Sequence, residues 1–156
     1  MNNERRQILK GAGAAAVVAV AAGAGLLKPG NVFAADWNKA AFEAKDVATA
    51  MAGIGATGAA ESDQIVVDAP NIAENGSRVP VKVTSKIANT EHIIILAEKN
   101  TNPLIADFAL SNGADGFIST AIKLGATGNV RAVVKAGGKV YTAAKEVKVT
   151  IGGCGG

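Results

Sequence analysis

Residues 35–151 are predicted to form a mainly β domain, an antiparallel β-sandwich with one helix in front of it. Three observations indicate this fold: β-branched residues cluster in short runs, turn-forming residues separate the runs, and no helical pattern lies between them. The predicted strands are 65–67, 79–87, 92–97, 104–110, 116–123, 130–136, 140–144 and 147–151.

The predicted helix begins at Asp36, a suitable N-cap residue, and ends at Gly53. Apolar side chains recur along it every three or four residues, which is the spacing of one helix face: Trp37, Ala41, Ala44, Ala48 and Met51.

The strand segments differ in pattern. Residues 79–84 alternate apolar and polar side chains, as expected for a strand with one face in the core. Residues 93–96 are all aliphatic, so we expect a central strand covered on both faces. Residues 130–142 are predicted to form a hairpin around Gly137 and Gly138. A chain of about 120 residues is long enough to bury one such core.

The net charge of the chain is +3, with 16 basic and 13 acidic residues. Residues 1–34 contain four basic residues and one acidic residue, so they carry the whole excess, and residues 35–156 are neutral. Nucleic-acid binding therefore loses its main electrostatic support. The chain has one cysteine and one histidine. An intramolecular disulfide, a cysteine zinc cluster and a multi-histidine metal site are excluded, and we expect no metal or other cofactor.

Residues 1–34 are predicted to be a cleaved signal peptide, with a charged start, an apolar stretch at 11–27 and a small-residue site ending at Ala34. Arg5 and Arg6 resemble the paired arginines of a twin-arginine export signal, although an ordinary secretory signal remains an alternative. The apolar stretch is short and weakly apolar, so no stable membrane insertion is expected. We predict a periplasmic protein. The twin-arginine route carries folded proteins, so a bound partner could be exported with this chain.

Several possible sites carry no specific chemistry. Residues 53–58 fit the G-x-G-x-x-G string, but they follow a helix instead of joining a strand to one, so we interpret them as a connection. His92 stands beside Glu91, and neighbours in a strand point to opposite faces, so no dyad is expected there. The other acids of the domain, Glu98, Asp107 and Asp115, show no spacing that indicates paired carboxylates.

The last five residues place the single cysteine between two pairs of glycines: Gly152, Gly153, Cys154, Gly155 and Gly156. Glycine offers no side-chain contact, so we expect a flexible, exposed arm. No basic side chain lies within five residues of Cys154. The thiol should therefore titrate near the reference value of about 8.5. An unactivated thiol on an arm suits a carrier better than an active site.

These features resemble the SoxY family, the sulfur-carrier subunits of the periplasmic Sox thiosulfate-oxidation system. The resemblance rests on the glycine-flanked terminal cysteine, the twin-arginine leader and three internal segments, 74–81, 98–104 and 130–134. It implies an immunoglobulin-like sandwich that pairs with SoxZ, and Cys154 as the covalent attachment site for sulfur. The partner SoxZ lacks an export signal in this family, which agrees with joint export.

The resemblance also implies a reaction sequence. The heme protein SoxAX joins thiosulfate oxidatively to Cys154, the hydrolase SoxB removes the terminal sulfone as sulfate, and SoxCD, where present, oxidises the remaining sulfur. The chain itself would then be a carrier and not an enzyme, able to self-associate or form a disulfide dimer when isolated. Two alternatives stay open: an exported immunoglobulin-like interaction module that uses Cys154 for an intermolecular disulfide, and a thiol oxidoreductase.

Overall fold

The computed structural model describes residues 38–111 and 113–151, which belong to one compact unit beginning at Asn38. The predicted signal peptide, the predicted N-cap Asp36 and the predicted arm lie outside the described residues. Two helices and nine strands follow one another along the chain: α1 Lys39–Glu43, α2 Val47–Gly53, β1 Ala60–Glu61, β2 Ile65–Asp68, β3 Ile72–Asn75, β4 Val79–Ser85, β5 Thr90–Ala97, β6 Leu104–Ala109, β7 Phe117–Ile122, β8 Gly128–Ala136 and β9 Lys139–Ile151.

The strands form two facing sheets. The larger has the order β1-β9-β8-β5-β6, with β3 also paired to β9, and the smaller has the order β2-β4-β7. Apolar side chains of both sheets fill the space between them, including Val81 and Val83 from β4 and Ile93 and Ile95 from β5. The predicted mainly β, immunoglobulin-like sandwich is confirmed.

Strand β5 is central, as its composition predicts, because it lies between β8 and β6. Its side chains serve two cores: Ile93 and Ile95 face the smaller sheet, whereas Ile94 and Leu96 pack with residues of α1 and α2. The helices therefore cover the outer face of the larger sheet. Neither helix of the described region has the length and apolar character needed to span a bilayer.

The helical segment differs from the prediction, since two short helices replace the single helix. The backbone of Ala44 is extended, with φ −55° and ψ 141°. Asp46 then starts α2: its carboxylate accepts hydrogen bonds from the backbone N–H and the hydroxyl of Thr49, each at 2.8 Å. These bonds, the backbone one first, lower the pKa of the Asp46 carboxyl. A side chain that caps a new helix competes with continuation of the preceding one.

Two strands were not predicted. Strands β1 and β3 are only two and four residues long, and both pair in parallel with β9. Their sequences contain no β-branched run, so the pairing with β9 defines them. The predicted strands 140–144 and 147–151 are one continuous strand, β9. The predicted hairpin is confirmed as β8 and β9, with Gly137 and Gly138 at positive φ.

The pairing registers place the loops at two ends of the sandwich. We call one the arm end, because β9 finishes there; it contains the β5–β6 loop at 98–103 and the β7–β8 loop at 123–127. The other, the far end, contains the β4–β5 connection at 86–89 and the β8–β9 turn at 137–138.

Candidate functional site

The predicted site residues Cys154, Gly152, Gly153, Gly155 and Gly156, together with Arg5 and Arg6 of the leader, lie outside the described residues. The structure does describe how the chain reaches them. Ile151 is the last residue of β9, with 63% of its surface exposed, and the glycine segment follows it directly. The surroundings of Ile151 therefore form the base from which the arm would extend.

One side of this base is held by β3 and the turn after it. Ile151 pairs with Asn75, and its carbonyl accepts a hydrogen bond of 2.8 Å from the backbone N–H of Gly76. The Thr150 hydroxyl donates to the carbonyl of Glu74 at 2.9 Å. Strand β9 is therefore bonded through Ile151, beyond the end of its pairing with β8 at Val147.

The β7–β8 loop holds the other side. The Thr127 hydroxyl oxygen accepts from the backbone N–H of Val149 at 2.8 Å and donates to the carbonyl of the same residue at 3.4 Å. The backbone N–H of Leu124 donates to the carbonyl of Gly76 at 2.7 Å, which ties this loop to the β3–β4 turn. Two separate segments thus fix the position and direction of the last strand residues.

A charged network lies at the same end of the larger sheet. Arg131 Nε donates to a carboxylate oxygen of Glu98 at 2.7 Å, and Asn129 donates to the other oxygen at 3.0 Å. Arg131 Nη1 also reaches the Thr142 hydroxyl at 3.3 Å. The Arg131 and Glu98 side chains are 22% and 18% exposed. Sequence pattern did not indicate this pair, because Glu98 and Arg131 meet only through the register of β5 and β8.

His92 has a partner that sequence spacing did not indicate. Its Nδ1 lies 2.7 Å from the carboxylate of Asp107, in a neighbouring strand, and both side chains are about one-third exposed. Glu98 and Asp107 are thus each bonded to a basic residue, a pairing that their spacing in the sequence did not indicate. In the described contacts, the His92 ring bonds Asp107 of the neighbouring strand and not the adjacent Glu91.

The His92–Asp107 pair lies away from the base of the arm. His92 is opposite Lys135, which is opposite Val140, and eleven further residues of β9 lead to Ile151. At 3.3 Å per residue this path is on the order of 35 Å. Cys154 is the third residue after Ile151, and three extended residues span about 10 Å. The single histidine of the chain is therefore out of reach of the single thiol.

The remaining sequence motifs have structural roles. Residues 53–58 connect α2 to β1, as interpreted, with Gly55 and Gly58 at φ 67° and 73°. Among the residues that the structure describes, no group of three or more His, Cys, Asp and Glu side chains is placed to hold a metal ion.

The family model of sulfur oxidation protein SoxY matches residues 50–154, so the match extends to Cys154 itself. The chain belongs to the SoxY family. The sulfur carrier protein SoxY from Chlorobium limicola f thiosulfatophilum is similar in both sequence and fold, with 42% identity and a TM-score of 0.54. The alignment covers 58% of this chain and 83% of the Chlorobium protein. Membership in the SoxY family supports a role as a sulfur carrier in the Sox system.

Two structures of superoxide reductase (neelaredoxin) from Ignicoccus hospitalis match at 22% and 19% identity, with TM-scores of 0.48 and 0.46. The alignments cover 58% and 55% of this chain and 82% and 80% of those proteins. Similarity this low carries no information about the function of the SoxY-family chain. Among curated proteins, none matches it.

Proposed function

We propose that this SoxY-family chain is a covalent carrier of sulfur intermediates in thiosulfate oxidation and that the thiol of Cys154 is their attachment site. One observation carries the proposal: the only cysteine of the chain is the last residue of the SoxY match and lies three residues after a strand end bonded on both sides. A fixed base with a short glycine segment suits a thiol that is presented to other proteins.

The first step would load the thiol. Cys154 and thiosulfate form an S–S bond, the thiol loses a proton, and two electrons pass to the heme protein SoxAX. In the second step SoxB adds water across the bond between the outer sulfur and the sulfone, which releases sulfate and leaves a persulfide on Cys154. SoxCD, where present, would oxidise that persulfide sulfur further.

In this scheme the chain contributes a thiol and its presentation, while partner enzymes contribute the chemistry. His92 and Asp107 lie too far from the arm base to activate Cys154, as the strand path above shows. The activating base or metal would come from the partner, into which an arm without bulky side chains can enter. We propose no cofactor for this chain beyond the sulfur adducts on Cys154.

The proposal includes a heterodimer with SoxZ and export to the periplasm by the twin-arginine route, directed by Arg5 and Arg6. Mature protein would begin at Ala35 and be nearly neutral. Intact mass of periplasmic protein tests this, since a chain that retains residues 1–34 contradicts it. Copurification of SoxZ with this chain from the periplasm tests whether the two proteins are exported together.

Mass spectrometry of protein from cells grown on thiosulfate tests the carrier role. Adducts on Cys154 with the masses of thiosulfate or sulfur support it. A disulfide from Cys154 to one fixed partner protein, with no sulfur adduct, would instead indicate a structural interaction module.

Two substitutions in the arm test the presentation mechanism. Gly153→Pro restricts the backbone of the arm, and Gly155→Trp adds bulk beside the sulfur, so both should slow loading by SoxAX. The rate of iodoacetamide labelling of Cys154 in the isolated chain should stay near that of the wild type. Wild-type loading rates in both variants would show that the glycines are passive.

A further inference from the structure

A cleft opens at the arm end between the β5–β6 and β7–β8 loops. Its volume is about 420 Å³, and its lining includes Lys99, Asn100, Thr101, Asn102, Lys123 and Gly125. The lining ends at Ala126, one residue before Thr127, whose hydroxyl is bonded to Val149 near the end of β9. It therefore adjoins the base from which the arm extends.

The charged groups of this cleft are all positive. Lys99 and Lys123 line it, and neither forms an ion pair with another described residue. The Lys45 ammonium adds a third positive charge, because it donates to the Asn102 side-chain oxygen at 3.1 Å. The adjacent acidic residue, Glu98, forms an ion pair with Arg131.

One acidic residue belongs to the helix that contacts Asn102, although it does not line the cleft. The Asn102 side chain donates to the carbonyl of Phe42 in α1, and Glu43 follows Phe42. Glu43 lies 3.7 Å from Lys39 on the same helix, so its charge also has a partner. The cleft thus keeps a net positive charge.

The walls of the cleft are held in place before any ligand binds. The Asn100 side chain donates to the carbonyl of Lys123 at 2.7 Å and accepts from the N–H of Gly125 at 2.8 Å, so it joins the two loops. The Lys99 stem lies against Gly128, where an added Cβ atom would collide with Lys99 Cγ. A preformed positive cleft loses little entropy on binding an anion.

We propose that this cleft is an oxyanion site that takes the sulfonate group of a small sulfur oxyanion. Two sources offer that group: free thiosulfate, and the sulfonate end of an adduct on Cys154. The second source rests on the proposed carrier function, whereas the first does not. Three extended residues give the sulfur a reach of about 10 Å from Ile151, and the loop that lines the cleft is bonded to Val149, two residues before Ile151. Ammonium groups and side-chain amides are suitable donors for such an anion.

The first experiment uses free thiosulfate and the full chain with Cys154→Ser, so that no adduct can form. Thiosulfate is titrated at constant ionic strength while backbone amide resonances are followed by NMR. We expect saturable shifts at Thr101 and Gly125, and at least a tenfold weaker affinity in Lys99→Glu/Lys123→Glu. The matched control, Lys86→Glu/Lys139→Glu, changes two exposed lysines of the far end and should bind as the parent does.

The second experiment loads the wild-type chain without an enzyme. The Cys154 thiolate attacks an inner sulfur of tetrathionate, a new S–S bond forms, and thiosulfate leaves with the electron pair of the broken S–S bond, so no other oxidant is needed. We expect the same amides to shift in the loaded chain without added anion. These shifts should disappear in loaded Lys99→Glu/Lys123→Glu.

The two experiments separate the sources and the two proposals. If the resonances shift with free thiosulfate but not in the loaded chain, the cleft binds the free anion only. If they also shift in the loaded chain, the cleft binds the sulfonate of the Cys154 adduct as well. If neither probe moves the cleft resonances, or if the far-end variant weakens binding equally, the oxyanion site is wrong. A chain that binds free thiosulfate but shows no adduct in cells would retain the site and lose the carrier function.

Discussion

The two ends of the sandwich have clefts of similar size and opposite charge. The arm-end cleft contains Lys99 and Lys123, whereas the far-end cleft, of about 400 Å³, includes Glu91 and Asp115 in its lining. Residues 35–156 are neutral in sum. The two clefts therefore differ in the sign of the charged residues that line them, so the arm-end cleft would attract an anion and the far-end cleft would repel it.

The ends also differ in the sequence distance of their loop side-chain hydrogen bonds, although the backbone of the far end is tied at long range by the bonds of Ser85 to Gly116 and of Lys86 to Gln64. At the far end Ser85, Ile87 and Thr90 bond one another within five residues. At the arm end Thr127 bonds a residue 22 positions away, and Thr150 bonds one 76 positions away. Local bonds can survive partial opening, but long-range bonds are lost with the fold. The base of the arm should therefore be as stable as the domain itself.

The largest difference between the ends should be in activity. Cys154→Ser should abolish thiosulfate-dependent turnover in a reconstituted system, because it removes the only thiol, while thermal stability shifts by no more than about 0.5 kcal/mol. The matched far-end variant His92→Ala should keep wild-type turnover. Oxygen uptake or reduction of the electron acceptor measures both. Turnover by Cys154→Ser, or loss of turnover in His92→Ala, would contradict the assignment of the activity to Cys154 at the arm end.

The next difference concerns the two ion pairs. Arg131→Met leaves the mostly buried Glu98 carboxylate without its partner and should lower the free energy of unfolding by about 2–4 kcal/mol. His92→Asn at the far end breaks a more exposed pair and should cost less than about 1 kcal/mol. Urea unfolding followed by circular dichroism compares them. Equal losses would mean that burial does not distinguish the pairs.

The bonds of Asn100 should contribute less. Asn100→Ala removes both hydrogen bonds between the arm-end loops and should cost about 1–3 kcal/mol, since each such bond contributes about 1 kcal/mol. Asn89 is the far-end control; it forms no loop-to-loop bond in the described contacts and has φ 55°, a value that glycine adopts freely. Asn89→Gly should therefore be nearly neutral. A neutral Asn100→Ala would show that the loops are held by other contacts.

The smallest expected effects come from two glycines that are needed for different reasons. Gly128→Ala should destabilise by about 1 kcal/mol because the new methyl group collides with Lys99. Gly138→Ala should cost a similar amount, about 1 kcal/mol, because φ is 73° with open space around it.

Adding Lys99→Ala separates these two causes. It should recover most of the stability lost in Gly128→Ala, because only the contact with the Cβ atom of residue 99 remains, and it should leave Gly138→Ala unchanged, as thermal unfolding of the double variants would measure. A Gly128→Ala defect that Lys99→Ala does not relieve would contradict the steric explanation.

Sequence pattern predicted the strands in which the order of apolar and polar residues shows directly which side chains are buried. The alternation in 79–84 and the aliphatic run at 93–96 identified β4 and β5, because each residue there shows which face it occupies. The pattern failed where pairing defines the element. Strands β1 and β3 exist through β9, and the helix break at Ala44 depends on the cap at Asp46.

The candidate site likewise has a part that sequence pattern could predict and a part that it could not. Cys154 and its glycines are a contiguous motif, so sequence alone could propose them. The cleft could not be found, because Lys99 and Lys123 are 24 positions apart and meet only when Asn100 joins their loops. The network of Glu98 and Arg131 was hidden for the same reason.

The parallel pairing of β3 with β9 has a consequence for biogenesis. Strand β3 is synthesised about 75 residues before the part of β9 with which it pairs. During synthesis it therefore stays unpaired until nearly the whole chain has emerged from the ribosome. The sheet is completed only by the strand that directly precedes the segment with Cys154. A nascent chain truncated before β9 would lack both a closed fold and its thiol. If the chain is exported by the twin-arginine route, as proposed above, it would become competent for export only after β9 has been made.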